Sequence, residues 1–216
     1  MKSASRDAIL TRVREALGRK ENAPIATPPP VRLAVPEMDV QGRIVLFKDR
    51  LEALNGKVRV VSRREAACAA VEEILNGRSA VVSNAPFLAE CGIARLPQVR
   101  TGFRDREKLK EACAEAPVGI TSTPYALAAT GTLAMLSSDE EQRLVSLLPP
   151  AHIVVFPASC ILVNLDELFV RLPLPADLTS ALVFITGPSR TADIEQILVR
   201  GVHGPGEVHA VIVEGR

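Results

Sequence analysis

LVSLLPPAHIVVFPASCILVNL, residues 144–165, runs for 22 residues without a Lys, Arg, Asp or Glu. That is long enough to cross a bilayer. Pro149, Pro150 and Pro157, with His152 among them, prevent it from running as one continuous lipid-facing helix. It reads instead as chain threaded through a buried interior, with His152 to Phe156 as a strand. A second charge-free stretch, residues 116–138, carries Pro117 and Pro124 with repeated Thr and Ser and reads the same way. No membrane span is expected.

Around these stretches, helical and strand patterns alternate. Ile44, Phe47, Leu51 and Leu54 share one helical face that ends at Asn55-Gly56, and Val58 to Val61 follows as a buried strand. Arg64 to Leu75 is a second helix stopped by Asn76-Gly77, and Ser79 to Ser83 a second strand. A helix over residues 105–116 precedes apolar runs at Val118 to Thr121 and Thr132 to Leu136, with a short segment at Tyr125 to Ala129 between them. Leu182 to Thr186 and Val208 to Val213 supply further strands, with a helix predicted from Thr191 to about Leu198. Short continuous apolar strands between helices predict an α/β fold: a mainly parallel sheet with helices on both faces.

The 216 residues make one ordinary domain with a small appendage, long enough to bury a core without disulfides or metals. The net charge of +1 and an aromatic fraction of 3%, with no Trp, leave neither a basic footprint nor stacking platforms, so no nucleic-acid partner is expected. Residues 1–20 are different: six basic and two acidic groups give them +4. Ile9, Leu10, Val13 and Leu17 form a helical stripe there, so 1–20 reads as a basic amphipathic helix. Residues 21–39, with five prolines, read as an extended connector, and 40–216 as the α/β domain.

Cys68, Cys91, Cys113 and Cys160 are separated by 23, 22 and 47 positions, which matches no zinc or iron–sulfur motif. The chain is expected to carry no cluster or other cofactor of its own. The first twenty residues lack an apolar signal core, so free thiols and a cytoplasmic location are expected. The P-loop, the dinucleotide G-x-G-x-x-G, the G-x-S-x-G elbow and H-E-x-x-H are all missing from the sequence.

In an open parallel sheet, ligands sit beyond the carboxyl ends of strands, which directs attention to three loops. After Leu182 to Thr186 comes Gly187-Pro188-Ser189-Arg190-Thr191. Gly187 permits a sharp turn, and Thr191 is placed to cap the predicted helix. Its N–H groups and Arg190 could then hold a carboxylate or phosphate. A capped helix with a surface Arg explains the same residues. The second loop, Gly201-Val202-His203-Gly204-Pro205-Gly206, presents an imidazole among glycines, for function or simply in solvent. The third, Thr130-Gly131-Thr132, offers hydroxyls and backbone N–H groups to a ligand, or is only a turn. Asp193, Glu195 and His203 follow no metal-ligand spacing, so no metal site is expected. His152 and His209 read as strand residues.

Together these segments resemble the lactate-utilization protein C family, the LUD domain. The run Thr186-Gly187-Pro188-Ser189-Arg190-Thr191-Ala192-Asp193-Ile194-Glu195 followed by Gly201-Val202-His203-Gly204-Pro205 is similar to that family's C-terminal signature. Gly119-Ile120-Thr121, Thr130-Gly131-Thr132 and residues 147–153 also follow its pattern, so the resemblance covers essentially the whole chain. It implies a fold similar to sugar-phosphate isomerases and coenzyme A transferases. It also implies a role in oxidising L-lactate to pyruvate beside iron–sulfur partner proteins. Where members often have an acidic residue before Thr-Gly-Thr, this chain has Ala129.

Removing two electrons from lactate needs a flavin, nicotinamide or metal cluster, and the sequence displays a site for none. The leading reading is therefore a non-redox component of an iron–sulfur lactate-utilization complex. It would bind a small anion such as lactate or organise the assembly. Thr130, Gly131, Thr132, Gly187, Ser189, Arg190, Thr191 and Gly204 are its candidate binding residues, and His203, Asp193 and Glu195 its candidate acid–base groups. A stand-alone transferase or isomerase acting on a phosphorylated or coenzyme A-linked substrate, and a non-catalytic scaffold or regulator, are the alternatives.

Overall fold

The computed structural model describes residues 4–19, 36–172, 175, 178–191, 199–201 and 203–215. The chain divides into two compact units, Met1–Arg32 and Leu33–Arg216. In the first, α1 spans Ala4–Ala16, and Gly18 at φ 61° supports the turn beyond it. Its stripe residues Ile9, Val13 and Leu17 are exposed.

The second unit begins with α2 (Val40–Ala53), where Asp39 Oδ1 accepts the N–H of Gly42 at 2.7 Å and caps the helix start. The order continues β1 (Lys57–Val61), α3 (Arg64–Leu75), β2 (Ala80–Val82), α4 (Pro86–Glu90), β3 (Val99–Arg100), α5 (Arg106–Glu115) and β4 (Val118–Thr121). After these come β5 (Tyr125–Leu127), β6 (Thr132–Leu136), α6 (Arg143–Leu147), β7 (Ala151–Pro157), β8 (Ile161–Leu162) and α7 (Leu165–Arg171). The last strands are β9 (Leu182–Ile185), β10 (Arg190–Thr191), β11 (Val199–Arg200) and β12 (Glu207–Val213). α3 stops where the sequence predicts: Asn76 takes the left-handed conformation, φ 46° and ψ 49°, which Asn tolerates better than most residues.

Six strands form an all-parallel sheet in the order β1-β12-β7-β4-β2-β3. Alternation along β7 divides the core between its two faces. Ile153 and Val155 pack with Ala67, Val71 and Leu75 of α3 and Leu88 of α4. Val154 and Phe156 pack with Ile44, Phe47 and Leu51 of α2, where the Phe47 and Phe156 rings meet edge to face at 5.7 Å. α5 and α6 cover the sheet's other end through Leu109, Cys113 and Val145. Gly119 allows α6 to approach, since a Cβ there would stand 1.9 Å from the carbonyl oxygen of Val145. Both charge-free stretches do supply buried chain: β4, β5 and β6 come from the first, β7 and β8 from the second.

Two local expectations need correction. Thr132–Leu136 and Leu182–Ile185 do not join the parallel sheet; they form a second sheet, β8-β5-β6-β9, in which β6 pairs antiparallel with both β5 and β9. Leu133 and Met135 of β6 are buried with α2 and Ala134 with Leu168 of α7. Buried on both faces, the strand reads as a continuous apolar run although its pairing is antiparallel. Thr191 does not open a helix but lies in β10, paired with Val199 of β11. The rest of the helix predicted over 191–198 lies outside the described residues.

Candidate functional site

The predicted motif loops converge, but at the amino ends of the parallel strands and not beyond the carboxyl ends where the sequence predicts them, because β6 and β9 belong to the second sheet. Thr130-Gly131-Thr132 closes the β5–β6 hairpin, with Gly131 at φ 64°. A Cβ on Gly131 would stand 2.5 Å from the backbone nitrogen of Leu51, so this turn rests directly on the last turns of α2. Thr132 Oγ1 lies 2.7 Å from Thr130 Oγ1 and 2.9 Å from Thr186 Oγ1, a chain of three hydroxyls that crosses from β6 to the end of β9. Gly187, next in sequence, sits against Leu54 just beyond α2.

From there Ser189 N–H donates to the Pro205 carbonyl at 2.8 Å, and Gly201 N–H donates to the Ser189 carbonyl at 3.0 Å. Gly206 N–H donates to the carbonyl of Pro150 at 2.9 Å. Pro150 and Gly206 directly precede β7 and β12, which fixes the end of the sheet at which these loops gather. Thr130, Thr132, Gly187, Ser189 and Gly204 thus belong to one belt. Thr132 is buried, while Thr130, Arg190 and His203 are exposed. Asp193 and Glu195 lie outside the described residues.

Beside the same amino ends, Glu207 receives hydrogen bonds from Lys57 at 3.1 Å and Arg78 at 3.2 Å. His209 Nε2 lies 2.6 Å from its carboxylate. The hydrogen bond with His209, followed by those from the two cations, draws the Glu207 carboxyl down to about 2.

The carboxyl ends of the strands hold a second arrangement that the sequence does not signal. β2 and β4 are neighbours, yet the chain leaves β2 outward toward β3 and leaves β4 toward β7, on the other side. This reversal is a topological switch point, and it opens a crevice between diverging loops. Residues 137–142 fill part of it. Glu141 N–H donates to Ser138 Oγ at 2.9 Å, Asn84 N–H donates to the Glu140 carbonyl at 2.8 Å, and Ser122 N–H donates to Glu141 Oε1 at 2.7 Å. The Asn84 side chain accepts from Gly102 N–H at 3.0 Å and donates to the Phe103 carbonyl at 2.9 Å.

A cavity of about 520 Å³ opens there, lined by Ser83, Asn84, Thr101, Arg104, Glu140 and Gln142 among others. A more apolar cleft of about 400 Å³ adjoins it, with Phe87, Pro124, Leu136, Glu141 and Cys160 in its wall; Glu140 lines both. Desolvation pushes the Glu141 carboxyl up to about 8 against the opposing pull of the Ser122 N–H and the Ser83 hydroxyl. Ser83 Oγ lies close enough to act on that carboxyl but not in hydrogen-bond geometry: Ser83 Oγ and Glu141 Oε2 are both buried without a partner. Deeper in the sheet, His152 Nε2 lies 2.8 Å from Thr121 Oγ1, and burial pushes the imidazole down to about 4, which keeps it neutral.

Among the described residues, no group of three or more His, Cys, Asp or Glu is arranged to hold a metal ion. The four cysteines are free thiols, and burial pushes those of Cys91 and Cys113 up to about 11.

Residues 44–213 match the family model described as LUD domain. The chain belongs to the LUD domain family. This LUD chain is 35% identical over 164 residues to the lactate utilization protein C of Halalkalibacterium halodurans, covering 72% of this chain and 71% of that one. It is 27% identical over 241 residues to the lactate utilization protein C of Geobacillus thermodenitrificans, covering 98% and 97%. The uncharacterized protein YkgG of Escherichia coli is 31% identical over 230 residues, covering 97% and 98%. Among solved structures, a DUF162 family protein from Deinococcus radiodurans superposes with a TM-score of 0.62 at 19% identity over 82% of this LUD chain and 99% of its own, a likeness of fold.

Proposed function

We propose that this LUD chain serves L-lactate utilization as a non-redox component that works beside iron–sulfur proteins in the cytoplasm. The observation that carries the reading is the similarity to proteins named lactate utilization protein C, extending in one of them over 98% of this chain. Oxidation of lactate to pyruvate releases two electrons that ordinary side chains cannot store. The cysteines match no cluster motif, so the proposal gives the redox cofactors to the partner proteins. Among the described residues no helix is long and apolar enough to cross a membrane.

Within this reading the amino-end belt holds the small hydroxy acid. Arg190 is an exposed cation suited to its carboxylate, and the hydroxyls of Thr130, Thr132 and Ser189 are suited to its polar atoms. His203, Asp193 and Glu195 are proposed as the acid–base groups, Thr191, Gly131, Gly187 and Gly204 as backbone contributors. Convergence of the Thr-Gly-Thr, Gly-Pro-Ser and Gly-Pro-Gly segments through the Thr132–Thr186 and Ser189–Pro205 hydrogen bonds supports this grouping. The test is gentle affinity purification of the tagged full chain from cells growing on L-lactate. Iron–sulfur proteins in stoichiometric yield, with their cluster absorbance, are expected. Purification of the chain alone under several mild conditions overturns the proposed complex.

A further inference from the structure

The edge of a β-sheet leaves a row of backbone N–H and C=O groups open to another chain, and soluble proteins blunt such edges with charge, shortness or cover. Among the described residues the sheet edges are treated unequally. β1 carries Lys57 and Arg59. β3, β10 and β11 are two residues long, and each includes an arginine. β8 is equally short, and its Ile161 carbonyl accepts the Arg43 guanidinium at 3.1 Å. β9 has none of these devices: it runs for four residues, and positions 178–189 contain no Lys, Arg, Asp or Glu.

The pairing of β9 with β6 fixes which of its groups are open. Ser137 N–H donates to the Ala181 carbonyl at 3.0 Å, and the register continues with Leu136 opposite Leu182, Met135 opposite Val183 and Ala134 opposite Phe184. Hydrogen-bonded and non-bonded pairs alternate in an antiparallel ladder. Val183 is therefore bonded to β6, while the backbone N–H and C=O groups of Leu182 and Phe184 point away from it. Among the described residues none hydrogen-bonds to those outward groups. The side chains agree. Val183 and Ile185 pack with α2, and Leu182 packs on the opposite face with Leu168 of α7. Phe184, on the same face as Leu182, is 42% exposed, whereas Phe47 and Phe156 are fully buried.

We propose that β9 is a self-association surface: its open edge pairs antiparallel with β9 of a second copy of this chain and joins the two four-stranded sheets into one. The occupant follows from the strand itself. An antiparallel edge is its own complement under a two-fold axis, since each copy supplies the same donors and acceptors in reverse order. With the axis at Val183, Leu182 of each copy exchanges both backbone bonds with Phe184 of the other, so the outward groups of both residues are used. The same register sets the Phe184 ring against Leu182 of the other copy on the α7 face and covers it. A charged strand would meet no counter-charge along this edge, and a second β9 brings no charge. Few residues pair, so the dimer is a weak one that dissociates in the micromolar range. It holds whether or not the lactate reading does.

The experiment is sedimentation velocity of the full chain from micromolar to near-millimolar concentration. A reversible monomer–dimer equilibrium is expected. Phe184→Lys puts a charge on the edge and should raise the dissociation constant at least tenfold. Phe184→Pro removes an outward N–H that β6 does not use, so the chain should still fold and should dimerise at least tenfold more weakly. Val45→Lys, at another exposed apolar position, on α2, should leave the equilibrium unchanged. Val183→Cys, mildly oxidised, should be trapped as a covalent dimer that the parent chain does not form, because the two Cα atoms at the axis stand about 4.5 Å apart. That readout does not require the Phe184 variants to fold. A chain that is monomeric throughout, which leaves the edge to a strand of another protein, overturns the proposal. So does a dimer insensitive to both Phe184 variants, or failure of Val183→Cys to cross-link at concentrations where the parent chain is dimeric.

Discussion

Glu141 Oε1 accepts the backbone N–H of Ser122 at 2.7 Å, and this bond joins a loop of consecutive acidic residues to the first position beyond β4. It draws a carboxyl group into the one place where the parallel sheet reverses its strand order. The opposite end of the same sheet gathers the loops that carry the LUD motifs. The molecule therefore presents two chemically distinct ends, and variants separate them.

Glu141 makes stability depend on alkaline pH. Its folded-state value of about 8 lies above the ordinary 4.5, so the folded chain retains a proton that the unfolded chain releases. The contribution of Glu141 is fully present below pH 4.5 and is lost as pH rises through 8. Glu141→Gln keeps the acceptor for Ser122 and cannot ionise. Thermal melts from pH 5 to 9 should show the variant gaining on the parent chain as pH rises, by roughly 5 °C at the alkaline end. Parallel curves contradict the buried-acid assignment.

His152 acts at the other limb. Its folded value of about 4 lies below the ordinary 6.5, so its contribution to stability is fully present above pH 6.5 and falls as pH drops toward 4. The loss is on the order of 3 kcal/mol. Replacing the hydrogen-bonded pair together, Thr121→Val with His152→Leu, removes the titration without leaving either polar group orphaned. Urea unfolding at pH 7 and pH 5 should show a smaller difference in the double variant than in the parent. An equal difference places the acid sensitivity elsewhere.

Gly131 and Gly77 both have positive φ, 64° and 78°, but only Gly131 is enclosed. Gly77→Ala meets nothing within 4 Å and should cost about 1 kcal/mol in backbone strain. Gly131→Ala adds a clash with the backbone of Leu51 and should cost at least about 3 kcal/mol. Chemical denaturation of the two variants compares them, and equal losses refute the close packing of the Thr-Gly-Thr turn on α2.

Thr132 is the middle of the hydroxyl chain between Thr130 and Thr186. Thr132→Val keeps its shape and removes both bonds, with an expected loss of roughly 1–2 kcal/mol. Thr130→Val, at the exposed end, should cost less than half as much. The reverse order contradicts the described chain.

Much of the main sheet was legible in the sequence because its strands are short apolar runs between well-stopped helices. Arg64 to Leu75, ended by Asn76-Gly77, is a clear case. The second sheet was not, because burial of β6 on both faces erases the alternation that marks an antiparallel strand. Nothing local distinguishes Thr132 to Leu136 from a central parallel strand; its partners, β5 and β9, decide the matter. The motif belt was legible as separate loops, and tertiary pairing supplied their convergence. The crevice was hidden because Ser138-Asp139-Glu140-Glu141 has the composition of a solvated turn. The Glu141 carboxyl is tied to the Ser122 backbone, 19 positions away, and no side-chain pattern encodes that contact.

Under the proposed function this LUD chain serves lactate oxidation while the electrons leave through other proteins. Reconstituted oxidation of L-lactate by the purified chain together with the iron–sulfur proteins proposed to work beside it, followed by pyruvate formation with an artificial electron acceptor, is the decisive measurement. No turnover is expected from this chain alone, turnover from the mixture, and at least a tenfold loss when this chain is omitted. Turnover by the isolated chain, or an unchanged rate in its absence, contradicts it.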